Sequence, residues 1–185
     1  MDIKKALSYT AIGFLLTLID INLTMNGQSV SVTPDFIGWI LFFLAVDKYG
    51  TFMRGKEYLK WCFLIIAVIR AFQWVVTVFQ LSVELPGVVT IIIGIAEAVI
   101  MFLVFGVIEE VTRNYDPDRA STVNLLKIIN LVLLLALTLL GVQALMQMSV
   151  ALAVLVAVLG IAALVAAIVT CVVLFKIRKT VMSAQ

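Results

Sequence analysis

"VVTIIIGIAEAVIMFLVFGVI", residues Val88–Ile108, is a continuous run of apolar residues but for one hydroxyl, Thr90, and one charge, Glu97. As an α-helix rising 1.5 Å per residue, such a run spans about 30 Å, the thickness of a bilayer's hydrocarbon core. A barrel strand would alternate apolar with polar residues, and this stretch does not. In hydrocarbon the backbone must satisfy its own hydrogen bonds, so a continuous apolar run reads as a helix.

The rest of the chain agrees with that stretch. Hydrophobic residues make up 64% of the 185 and charged residues 13%, with a mean hydropathy of +1.20. Soluble domains average about 45–50% apolar and about 25% charged. A water-soluble fold of this size cannot hide so much apolar surface. The expected class is all-α, a polytopic helical bundle forming one integral membrane domain over 1–185.

Six transmembrane helices are expected, at about 6–24, 34–47, 58–81, 87–108, 123–146 and 149–175. Together the last two would measure about 80 Å as one helix, too long for a single crossing. A tight turn near Gln143–Ser149 must separate them.

Basic residues give the direction. Lys4 and Lys5 precede the first span, and Lys48, Arg54, Lys56 and Lys60 cluster between the second and third. Arg113, Arg119 and Lys127 lie around the fourth-to-fifth connection, and Lys176, Arg178 and Lys179 follow the sixth. The other connections hold no Lys or Arg, and Arg70 alone departs from the pattern. Positive residues mark the cytoplasmic side, so both termini are expected inside. The first span lacks a small-residue cleavage pattern after it, so it is expected to be retained as a true helix.

Several function classes lose support. A net charge of +2 without a basic stripe argues against nucleic acid. Two isolated cysteines, Cys62 and Cys171, and no histidine give neither a disulfide framework nor a metal site. No cofactor is expected. There is no Walker loop, no Gly-x-Ser-x-Gly elbow and no His-Glu-x-x-His helix. Asp20 and Asp35 lack the Gly-x-Gly-Asp context of intramembrane aspartyl proteases, so no enzymatic activity is expected.

The first outer connection, "INLTMNGQSVSVTPDFIGW" (Ile21–Trp39), carries no positive charge. Its Asn26-Gly27 pair fits a two-residue type I′ hairpin turn, since both residues tolerate positive φ. Thr33 suits a helix cap, Pro34 a first helical position, and Asp35 the positive end of the helix dipole. Asn22, Thr33, Pro34 and Asp35 thus mark an outer mouth and helix start. The second span is short, about 21 Å, so the hairpin could fold into a shallow mouth or stand as an ordinary exposed loop.

Ionisable groups inside a bilayer are costly and face protein or water. Arg70 falls near the middle of the third span and Glu97 near the middle of the fourth, at depths differing by about 3 Å. Ala67, Arg70, Gln73, Thr77 and Gln80 share one face, as do Thr10, Gly13, Thr17, Asp20 and Thr24 on the first helix. Gly94 and Ala98 flank Glu97 and permit close helix approach. Asn124, Lys127 and Asn130 suggest a polar inner entrance on the fifth helix. Ala153, Ala157, Gly160, Ala163 and Ala167 read as packing positions on the sixth. The polar cluster of Asp20, Arg70, Gln73, Thr77 and Glu97 has two readings: glue between helices, or the lining of a cavity or conduction path.

The residues Asp20, Asn22 and Pro34-Asp35-Phe36-Ile37-Gly38-Trp39 resemble a pattern in small multispan bacterial membrane proteins. In that family an Asp-bearing end of the first helix precedes a Pro-Asp-Phe-Ile-Gly-aromatic start of the second. The match covers about a fifth of the chain. Thr33 stands where the pattern has an apolar residue, and the hairpin is longer than usual. The resemblance implies a bacterial cytoplasmic membrane and this architecture, with no activity attached. In size and span number the chain is also similar to the substrate-binding membrane subunits of energy-coupling-factor vitamin importers, without a shared motif. Two functions stand: a small-solute or ion transport component, or a non-catalytic structural or regulatory subunit. The second would bind another membrane protein or a further copy of the chain within the lipid bilayer.

Overall fold

The computed structural model describes residues 2–18, 22–25, 28–31, 34–53, 55–79, 81, 86–147 and 150–183. Among these, helix α1 covers Ile3–Leu18, strands β1 and β2 cover Asn22–Met25 and Gln28–Ser31, and α2 covers Phe36–Tyr49. A short 3-10 turn, Gly50–Met53, leads to α3 (Tyr58–Val78), α4 (Gly87–Tyr115), α5 (Pro117–Gln147) and α6 (Val150–Ser183). Five of the helical segments are long and apolar enough to cross a membrane: Phe36–Met53, Tyr58–Val78, Gly87–Tyr115, Pro117–Leu140 and Val150–Met182. The chain is therefore a helical, multi-pass membrane protein in class. α1, with 16 residues, falls short of that length among the described residues.

The first helix is shorter than expected from hydropathy. The expected 6–24 span runs into Asn22–Met25, a strand paired antiparallel with Gln28–Ser31. The physical reason lies in the alternation of "NLTM" and "QSVS" around Asn-Gly, which favours cross-strand pairing over continued helix. Met25 pairs with Gln28, leaving two residues between the strands, as the expected hairpin requires. The turn residues themselves, with Asp20 and Thr33, lie outside the described residues. The fifth and sixth helices separate between Gln147 and Val150, where a turn was expected. Both run beyond their expected bounds, because the polar ends at Pro117–Thr122 and Lys176–Ser183 continue the helix outside any apolar window.

The contacts divide the chain into two compact units: Met1–Glu84 with Cys171–Gln185, and Leu85–Thr170. In the first unit α2 packs on α1 and α3, and β2 on α3. α1 opens on Asp2, whose carboxylate accepts the Lys5 backbone N–H at 3.2 Å and pairs with Lys5 Nζ at 3.0 Å. That Lys5 side-chain bond, first among its causes, holds the Asp2 carboxyl below its ordinary range. The α1–α2 crossing is close. A Cβ at Gly13 would stand 2.8 Å from the Gly38 carbonyl oxygen, and one at Gly38 only 2.6 Å from that of Gly13. Below the crossing Thr10 Oγ1 and Tyr49 Oη share a buried hydrogen bond of 2.8 Å. Trp39, Phe42 and Phe63 pack ring to ring between α2 and α3.

In the second unit α4 and α5 form an antiparallel pair turned at Asp116, which accepts from Arg119 one turn into α5. The pair approaches closely where Gly94 faces Thr138, whose side chain leaves no room for a Cβ. Ala98 is fully buried one turn along.

Candidate functional site

The first unit brings together part of the expected cluster. Asp35 precedes α2 in a helical conformation (φ −57°, ψ −26°), and its side chain makes no cap hydrogen bond. Instead the helix start is tied by backbone: Ile37 N–H donates to Pro34 O at 3.0 Å and Gly38 N–H to Asp35 O at 2.9 Å. Proline at the opening of this turn sacrifices no needed donor. The Asp35 carboxylate turns toward α3, where its Oδ2 lies 3.6 Å from Arg70 Nε. A nitrogen of the same guanidinium donates to Gln73 Oε1 at 3.1 Å. Arg70 and Asp35 are 29% and 31% exposed at the side chain, which leaves the pair open on one side.

Two aromatic neighbours complete the surroundings. Phe36 meets Trp74 edge to face with ring centroids 5.8 Å apart. Trp74 lies one turn beyond Arg70 on the same face of α3, and its indole N–H is buried with no hydrogen-bond partner. Sequence reasoning passed over Trp74 because its ring counts as apolar. The i, i+4 spacing from Arg70 was the signal that could have found it.

The other expected residues are dispersed. Thr77 is exposed, and its hydroxyl donates back to the Gln73 carbonyl at 3.0 Å. Asn22 lies in β1, and Asp20 and Thr33 fall outside the described residues. Glu97 sits half-buried on α4 in the second unit. Arg70, its partner in the sequence reading, belongs to the first unit.

Two polar groupings pack between helices, and the small-residue stripe of α6 is only partly buried. The Thr10–Gly13–Thr17 face of α1 is a packing face: Thr10 bonds Tyr49, Gly13 meets Gly38, and the Thr17 hydroxyl donates to Phe14 O. On α5, Lys127 reaches Glu109 Oε2 at 2.6 Å, and buried Asn130 donates to Thr170 Oγ1 at 3.2 Å. Those two side chains join helices rather than lining an entrance, while Asn124 is exposed. On α6, Ala163 and Ala167 are buried as expected, but Ala153 and Ala157 are exposed and nothing lies near Gly160. A small residue permits close approach without supplying the helix that makes it.

A groove of about 670 Å³ runs along α5 and α6 in the second unit, lined by Leu126, Ile129, Leu133, Ala162 and Val169 among others. Its lining offers no polar surface, so it has nothing to orient a polar solute. Among the described residues no group of His, Cys, Asp and Glu could hold a metal ion. Neither a family model, nor a curated protein, nor a solved structure matches the chain.

Proposed function

We propose that the chain is a six-span protein of the bacterial cytoplasmic membrane, both termini inside, that forms a small-solute or ion transport component. The observation that carries the reading is the half-open Asp35–Arg70–Gln73 group at the start of α2 and within apolar α3. A charge within an apolar span is retained at a cost, and partial exposure gives it access to water or solute. Asp20 is assigned to the same proposed pathway, and its substitution tests that assignment. Arg70 positions the cluster and Asp35 and Gln73 offer acceptors toward a passing solute. The test is flux through purified protein reconstituted in liposomes, measured for wild type and Asp20→Asn. Flux that falls per folded molecule supports the pathway; absence of any flux or ligand stabilisation over a broad solute panel removes it.

A second reading has its own observation. From Val150 to Ala162 no residue of α6 is buried, a stretch of more than three turns. Such a face fits a subunit that binds another membrane protein. Co-purification of a stoichiometric partner under mild detergent would favour it.

A further inference from the structure

At the end of the first unit where α1 begins, basic side chains gather with few acids to balance them. Lys4 lies in the first turn of α1, Lys48 in the last turn of α2, and Lys176, Arg178 and Lys179 near the end of α6. The Asp2 N–H donates to Lys48 O at 3.3 Å, which joins the start of α1 to the end of α2. The Cys171 thiol donates to Ala11 O at 3.3 Å, which seats α6 on α1. On an antiparallel course, which rests on the six-span topology proposed above, about two turns from each residue reaches Lys4 and Arg178. Two turns also return both positions to the facing sides of their helices. Burial follows that register: Leu7 and Ile3 on α1, and Leu174, Ile177 and Val181 on α6, are almost wholly buried.

That register puts Lys4 and Arg178 at one level beside a packed apolar seam. The acids next to this junction are already engaged, Asp2 by Lys5 and Asp47 by Lys60. Arg178 Nε is buried with no hydrogen-bond partner. A guanidinium only donates, and a buried donor left unmade is destabilising. What would complete this corner is an acceptor-rich anion, and Arg presents its donors in a fork that matches phosphate oxygens.

We propose that Lys4 and Arg178 form a site for a phosphate-bearing anion, the headgroup of an anionic phospholipid of the inner leaflet. The neighbouring surface is suited to its chains, since Val172 and Phe175 are exposed on α6 just before the basic turn, and Ile12 on α1. A headgroup on the basic corner thus has apolar side chains beside it for its acyl chains.

The test titrates full-length protein in neutral detergent with phosphatidylglycerol, phosphatidylcholine and inorganic phosphate, reading the thermal midpoint and lipid retention by native mass spectrometry. Phosphatidylglycerol should raise the midpoint where phosphatidylcholine does not. Arg178→Gln and Lys4→Gln should each weaken that binding about fivefold, as expected for one charge at an anionic surface, and Lys179→Gln distinctly less. Should Arg178→Gln not fold, Arg178→Lys keeps the charge, loses the fork, and should still bind more weakly than wild type. Equal losses at Lys179 and Arg178 would reduce the site to diffuse surface charge and overturn it. So would equal response to the two lipids with phosphate silent. Inorganic phosphate matching the lipid's effect would overturn the lipid as source. Orientation is settled separately by thiol labelling, so a failed site and a failed topology give different results.

Discussion

Gly13 and Gly38 face each other across the α1–α2 crossing, so close that neither position has room for a Cβ beside the other's carbonyl. Gly38→Ala drives a methyl group into backbone and into Thr17, and backbone cannot give way as a flexible side chain would. Overpacking of this kind costs about 1–3 kcal/mol. Gly160→Ala, where nothing lies near, should be neutral or stabilising by up to about 1 kcal/mol through helix propensity. Thermal unfolding in detergent compares them; equal midpoints for the two variants would mean the crossing is not tight.

The second prediction separates the partners of Arg70. Its pairing with Asp35 is about a third exposed, so solvent screening limits the coupling to about 0.5–1 kcal/mol in a double-mutant cycle. On the pairing expected from the sequence, Arg70→Ala should destabilise more than Asp35→Asn, and exchange of Arg70 with Glu97 should recover part of the loss. A cycle between Arg70 and Glu97 whose effects simply add would show that they do not interact.

An asymmetry is expected at Glu109. Its carboxylate accepts from Lys127 at 2.6 Å and from Arg113 at 2.9 Å, so removal of Lys127 leaves it one cation. Removal of Glu109 takes from Lys127, only 15% exposed, the carboxylate it reaches and leaves it over the Phe102 ring. Breaking a largely buried pair from one side costs up to about 3–5 kcal/mol. Glu109→Gln should therefore lower the unfolding midpoint more than Lys127→Met. The reverse order would show that Arg113 contributes little to holding that carboxylate.

Much of this architecture was legible because hydropathy and the Asn-Gly turn act locally. Continuous apolar runs place α3 and α4, and the alternation around Asn26-Gly27 places the hairpin. The end of α1 was misjudged because Asn22–Met25 carries enough apolar character to extend a hydropathy window. The site was only partly legible for a different reason. Helical spacing tells which residues share a face, and it correctly grouped Thr10, Gly13 and Thr17. It does not tell whether that face meets solute or another helix, and here Tyr49 and Gly38 fill it. Asp35 was assigned to the helix dipole because sequence neighbours were all that could be seen. Its partner Arg70 lies 35 residues away in the chain.

Orientation has a direct test. Cysteines placed at Gln28 and Glu84 should react from outside intact cells with an impermeant thiol reagent. Cysteines at Lys56 and Ala120 should react only after permeabilisation. Labelling at Lys56 in sealed cells would invert the chain and leave the Lys4–Arg178 corner on the outer leaflet.

The last prediction asks whether the Asp35–Arg70 group passes anything or merely fastens α2 to α3. Both roles need the two residues together, so geometry does not divide them, but their consequences differ. As a fastening, the pair acts through stability alone: Asp35→Asn lowers the unfolding midpoint, and flux per folded molecule stays the same. As part of a pathway, the carboxylate also faces the solute, so flux per folded molecule falls by a larger factor than stability explains. Asp35→Glu discriminates further, because it keeps the charge on a longer arm that can still reach Arg70. In a fastening it should restore the midpoint with no separate effect on flux. In a pathway it should restore the midpoint while leaving flux altered, since the charge now stands about one bond length further into the opening. Normal flux per folded molecule in both variants would exclude Asp35 from any conducting role and shift the weight to the partner-binding reading.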